Sequence, residues 1–232
     1  MSLRFFAGGG QPPQSHEVLL VKAGGEGWYL TGMPWPEQPP FDEIGVYRVE
    51  LGAPGYERLA GLARAAVTAP AGEGRSADAG GESLRLDSAE AAWSPRERGE
   101  PAQAFVDAAR EAIAAARERP VSVARAELAD GHVSLTNRGE RPLVASAGEV
   151  RAGRGPADHA PSPLRLARRE PAEVELPAEL APGASLQLAL PSPGPVADED
   201  FPARYALVNL RWRPGVPGEP EELDGWMIAG PG

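Results

Sequence analysis

Residues 101–119, PAQAFVDAAREAIAAARER, closed by Pro120, decide how the rest of the chain is read. Ala102, Phe105, Val106, Ala109, Ala112, Ile113 and Ala116 recur at steps of three and four, which lines them along one face of an α-helix. Gln103, Asp107, Arg110, Glu111, Arg117 and Glu118 fall mostly on the opposite face, which this pattern gives to solvent. Pro101 suits the first helical turn, where a missing N–H leaves nothing unpaired. Arg117 and Arg119 suit the negative end of the helix dipole, and Pro120 cannot continue the ladder. The apolar stripe is mostly alanine, so the helix can approach a sheet closely, anchored by Phe105 and Ile113. Before this helix strand-like runs alternate with helical ones, and after it only strand-like runs remain.

Toward the amino terminus, residues 1–16 read as a flexible lead-in, since three glycines and two prolines follow a short apolar start. Glu17–Lys22 and Gly27–Leu30 flank Ala23-Gly24-Gly25-Glu26 and predict a hairpin. Ile44–Leu51 reads as a central strand and Pro54–Val67 as a second helix, with Tyr56, Leu59, Ala60, Ala63, Ala66 and Val67 on one stripe. Residues 68–81 read as a linker, Ser83–Asp87 as a short strand and Trp93 as a buried anchor. Residues 17–119 are therefore expected to form a small α+β domain, a sheet with two helices on one face.

Beyond Pro120 the period changes to two. Val133 and Leu135, Leu164 and Leu166, Val174 and Leu176, Leu186, Leu188 and Leu190, and Val208, Leu210 and Trp212 each alternate with polar or small residues; Trp226 and Ile228 finish the series. Many short strands at this spacing predict an antiparallel sandwich over residues 120–232. HVSLTNRGERPL, ELAPGASLQLALP and ARYALVNLRW carry a strand ending in a Thr-Asn-x-Gly turn and a Pro-Gly turn opening a later strand. In this the segment resembles immunoglobulin-like β-sandwich domains of the broad bacterial kind. That resemblance implies an all-β immunoglobulin-like fold that binds proteins or sugars or spaces its neighbours. The antibody-type Cys…Trp…Cys framework is absent.

The chain has no cysteine, so disulfides, thiolate catalysis and cysteine-held zinc or iron–sulfur centres are excluded. A net charge of −10 argues against non-specific nucleic-acid binding. No run has the length of a membrane span and the start has no signal-peptide core, which makes a cytoplasmic location and no membrane partner the expectation. Lys22 is the one lysine, and the excess of Ala, Gly, Pro and Arg is the imprint of a GC-rich, bacterial genome.

No nucleophile elbow, phosphate loop, dinucleotide fingerprint or metalloprotease motif occurs, so no catalytic residue and no cofactor is assigned. Asp158 and His159 could supply an acid–base or metal-binding pair in a loop. Asp198 and Asp200, with the later Glu219, Glu221, Glu222 and Asp224, could hold calcium, although neither run has the alternating pattern of a dedicated loop. The most distinctive stretch is Thr31–Asp42, TGMPWPEQPPFD, where prolines restrict the backbone around Met33, Trp35 and Phe41. Rigidly displayed aromatic and Met side chains are what protein interfaces use as anchors, so these three residues are the expected partner-binding set. The expectation is a non-enzymatic protein–protein interaction module, an adaptor or accessory subunit. The alternatives are a sugar- or calcium-binding sandwich protein and a hydrolase whose site is assembled from residues distant in sequence.

Overall fold

The first strand lies where a lead-in was expected. In the computed structural model, which describes residues 2–9, 15–33, 42–69, 81–95, 98–129, 131–155, 166–167, 169–191 and 203–230, β1 is Ser2–Gly9 and β2 is Ser15–Lys22. Leu3, Phe5 and Ala7 alternate with Arg4, Phe6 and Gly8, and the first three are each 1% exposed, so the period-two signal overrides the glycine-rich composition. β1 is paired antiparallel on both sides, with β2 and with β5 (Gly81–Leu86). It is a central strand.

The described residues are mostly strand, arranged in antiparallel sheets with two long helices, and they divide into two compact units. The first holds residues 1–10, 14–31 and 46–120. Its strands run in the order β4-β3-β2-β1-β5-β6, with β3 Glu26–Met33, β4 Glu43–Glu50 and β6 Ala89–Trp93. The β2–β3 turn is closed by Gly25 N–H on the Lys22 carbonyl. Gly25 has a φ of +90°, and a side chain there would strike the Gly52 backbone where β4 passes into α1 (Gly52–Thr68). Only glycine meets both demands. α1 buries Tyr56, Leu59, Ala60, Ala63 and Ala66. α2 (Glu100–Ala116) buries the expected Ala102, Phe105, Val106, Ala109, Ala112, Ile113 and Ala116, and Ala108 besides. Phe105 meets Phe5 edge to face at 5.4 Å, which seats α2 on the face of β1 that carries Leu3, Phe5 and Ala7. β6 had no clear signal in the sequence.

The second unit holds residues 11–13, 32–45 and 121–232. Residues 32–45, which hold the ends of β3 and β4, thus belong to it. β7 (Pro120–Ala129), β8 (His132–Asn137) and β12 (Ser185–Ala189) form consecutive antiparallel pairs, and Ala126 N–H reaches the Asp42 carbonyl beside β4. A second sheet runs β10-β9-β13-β14, with β9 Leu143–Gly155, β10 Ala172–Val174, β13 Ala203–Trp212 and β14 Leu223–Ala229; β11 (Glu179–Leu180) pairs with β9. Trp212, the largest fully buried side chain, lies against Gly225, where a Cβ would come within 2.8 Å of the indole nitrogen.

Asn137 organises the β8–β9 turn. Its side chain is fully buried, its amide donates to the carbonyls of Arg141 and Leu180 at 2.8 Å each, and its Oδ1 accepts from Gly139 N–H at 2.9 Å. The Asn-x-Gly turn read from the sequence is therefore a fully satisfied polar core.

The strand expected around Leu164 and Leu166 is corrected at Leu166, Leu164 lying outside the described residues. Leu166 and Ala167 form a helical turn, closed by Arg169 N–H on the Leu166 carbonyl at 3.0 Å. Leu166 lies over Gly153 and joins Tyr205, Leu207 and Ile228 in a buried cluster. Alternation across three residues was too short to separate a strand from a turn that drops one leucine into a core.

Candidate functional site

The face of the first unit that receives α2 carries charge. In register, Glu17 on β2 faces Ala7 on β1, Ala7 faces Glu82 on β5, and Glu82 faces Trp93 on β6. The two glutamates are 1% and 3% exposed and lie two strand spacings, about 10 Å, apart. Each is held by one aromatic donor and one arginine. Tyr29 Oη donates to Glu17 Oε1 at 2.5 Å and Arg110 Nη1 to Glu17 Oε2 at 2.8 Å. Trp93 Nε1 donates to Glu82 Oε2 at 2.7 Å, and Arg98 forks onto both Glu82 oxygens at 2.6 and 2.5 Å.

Arg110 and Arg117 correct the solvent face assigned to α2. Arg110 is spent on Glu17, and Arg117 donates to Tyr29 Oη at 3.3 Å with its guanidinium over the Tyr29 ring. Long arginine stems let residues at the border of a helical stripe turn inward to a buried acceptor, which residue spacing alone does not reveal. Tyr29 also stacks on Tyr47, and burial together with the Glu17 charge pushes its phenol well above the usual value near 10. Trp93, expected to be buried, is half-buried and meets Phe105 edge to face.

Chemically these clusters are clamps. A general acid or base needs a carboxyl oxygen that a substrate can reach, and all four oxygens here already accept hydrogen bonds from aromatic or arginine donors. Their role is to fasten α2 and its lead to the sheet.

The second unit offers a different surface. In register across β10, β9, β13 and β14, Glu173 faces Glu149, Glu149 faces Asn209, and Asn209 faces Trp226. Glu173 is exposed; Glu149, Asn209 and Trp226 are half-buried. Trp226 packs on the cluster of Leu166, Tyr205, Leu207 and Ile228, which fixes its ring while part of it stays in solvent. Arg151 donates from Nε and Nη2 to Glu149 Oε1 at 3.2 and 2.9 Å and from Nη1 to the carbonyls of Ala167 and Arg169 at 2.6 and 2.8 Å, tying the helical turn to this face. Arg211 pairs with Asp224 at 3.3 Å and Arg213 with Glu222 at 3.2 Å along the same edge. Asn209 Oδ1 is shielded and has no hydrogen-bond partner among the described residues.

Of the expected partner-binding set, Met33 closes β3, while Trp35 and Phe41 lie outside the described residues, as do Asp158, His159, Asp198 and Asp200. Among the described residues no group of three His, Asp or Glu side chains could hold a metal ion. No described helix is long and apolar enough to cross a membrane. The chain matches no protein-family model, no curated protein and no solved structure. The sequence placed Trp226 in a strand but gave no sign of the row it joins, because the row is made by strands up to 77 positions apart.

Proposed function

We propose that the protein is a non-enzymatic protein-interaction module, an adaptor or accessory subunit of a bacterial cytoplasmic complex, whose part beyond Pro120 is an immunoglobulin-like sandwich. The observation that carries the interaction reading is the face around Trp226: a ring held on its own hydrophobic support, half in solvent, with arginine–carboxylate pairs beside it. A fixed aromatic within a polar, charged surround is the composition of interface hot spots, and fixing it beforehand lowers the entropy lost on docking. What supports the sandwich reading is that strands β12-β8-β7, which end the nine-stranded sheet, and the separate sheet β10-β9-β13-β14 both lie beyond residue 119. The proline-framed Met33, Trp35 and Phe41 remain a second candidate contact.

The test is affinity purification of the tagged protein from its native host, beside Glu173→Arg and Trp35→Ala. Glu173 is exposed, so its replacement leaves the fold intact. One or two proteins recovered in near-equal amount and lost with Glu173→Arg would support the reading. Loss with Trp35→Ala alone would move the surface to the proline-framed loop. A folded protein recovered without companions would overturn the module.

A further inference from the structure

We infer that β12 pairs edge to edge with β12 of a second copy of this chain, antiparallel, about a two-fold axis through Gln187. This goes beyond the interaction-module reading, since it needs no foreign partner. β12 ends its sheet and pairs on one side, with β8. Asn137 N–H bonds to the Ala184 carbonyl just before the strand, and Leu190 N–H to the Gly131 carbonyl just after it. Alternation between these points turns the backbone of Leu186 and Leu188 toward β8 and that of Ser185, Gln187 and Ala189 outward. Those three residues are exposed, so the outward edge is open to solvent. Proteins block such edges with charge, proline or a bulge. SLQLA has no charge and no proline, and its pairing with β8 runs without a register shift. The other end strands are less suited: β6 presents the exposed carboxylate of Glu90, β10 has three residues, and β14 closes on buried Met227, Ile228 and Ala229.

The occupant follows from the strand itself, which reads nearly the same in both directions. Two copies laid antiparallel about Gln187 oppose Ser185 to Ala189, Leu186 to Leu188, and Gln187 to itself. The outward groups of Ser185, Gln187 and Ala189 then give about six backbone hydrogen bonds, with none left over. Leu186 and Leu188 fall at the closer, non-hydrogen-bonded positions, on the face that carries Val133 and Leu135. Leu188 is buried already and Leu186 is half-buried, so pairing covers the leucine that a single chain leaves partly wet. On the other face the two Gln187 amides meet, and each holds a donor and an acceptor for the other. No ionised side chains of β12 are opposed.

The experiment follows the full chain by sedimentation velocity over rising concentration, at physiological ionic strength, where repulsion between chains of charge −10 is largely screened. The variants are Gln187→Lys and Gln187→Glu, alone and mixed; both change an exposed side chain and leave the β8 ladder intact. The native chain should form a weak dimer, with a Kd on the order of 10–100 µM, as a small interface gives. Each variant alone should dimerise about fivefold more weakly, because like charges then face each other at the axis, and the equimolar mixture should recover. Hydrogen exchange at the Gln187 amide should slow as the native chain dimerises. A chain that stays monomeric at millimolar concentration, a dimer that neither variant weakens, a mixture no tighter than its components, or a Gln187 amide that exchanges alike in monomer and dimer would overturn the inference. Host capture lost with Glu173→Arg bears on the interaction module alone, so the two readings fail separately.

Discussion

Replacing Arg110 by methionine tests whether the buried clusters are clamps. Glu17 is 1% exposed, and the Arg110 side chain that neutralises it is 16% exposed. Without the guanidinium, the Glu17 carboxylate stays in the interior with its direct ion pair removed, the Tyr29 hydroxyl still donating to Oε1 and Arg117 acting on it electrostatically. Breaking a buried ion pair from one side costs about 3–5 kcal/mol, because the remaining charge is uncompensated. For a chain of this size that corresponds to a fall in Tm of roughly 6–20 °C. The informative arm is the double variant Glu17→Gln/Arg110→Met. The glutamine keeps an acceptor for Tyr29 Oη and removes the orphaned charge, so the double variant should be more stable than Arg110→Met alone by about 2 kcal/mol or more. Urea unfolding followed by circular dichroism and by the tyrosine–tryptophan signal measures all four corners of the cycle. An Arg110→Met loss below about 1 kcal/mol, or a double variant no better than Arg110→Met, would refute a buried, coupled pair and return Arg110 to the solvent face its spacing suggests.

The phenol of Tyr29 is held above its usual value by burial and by Glu17, so the folded chain keeps its proton where the unfolded chain, near pH 10, gives it up. Its stabilising contribution is therefore complete below about pH 10 and is lost as pH rises from there toward the folded value. Unfolding free energy measured from pH 8 to 11.5 should fall more steeply in the native chain than in Tyr29→Phe; parallel curves would contradict the assignment. Tyr56, also raised by burial, leaves a smaller slope in both. Asn137→Ala should destabilise the second unit by about 3 kcal/mol, since two buried carbonyls and one N–H lose their partner together. Asn137→Asp should be no better, because it turns a carboxylate toward the Arg141 and Leu180 carbonyls. A loss under about 1 kcal/mol in hydrogen-exchange or denaturant measurements would show that the turn holds without it.

Local pattern made much of the secondary structure legible. Ala102 to Ala116 at steps of three and four give the stripe that α2 buries, Tyr56 to Ala66 give that of α1, and alternation around Val133, Leu188 and Val208 marks β8, β12 and β13. Alternation in Leu3, Phe5 and Ala7 was equally present but lay beside a glycine run that spoke for disorder. These readings work because period and turn chemistry act over a few residues.

Partnership across the chain was decided elsewhere. Glu17 meets Arg110 over 93 positions, Glu43 meets Arg138 over 95, and residues 32–45 join the unit formed by everything after Pro120. A buried glutamate within EVLLVK and an exposed one read alike, because the arginine that makes burial tolerable comes from a helix whose approach the sequence does not state. The row from Glu173 to Trp226 likewise exists only through strand register. Backbone pairing places side chains abreast without regard to their distance along the chain, so the sequence by itself determined both helices with their apolar stripes and the strands whose alternation stood clear, but not β1 or β6. Tertiary structure alone decided which charges are neutralised inside and which acceptors stand together at the surface.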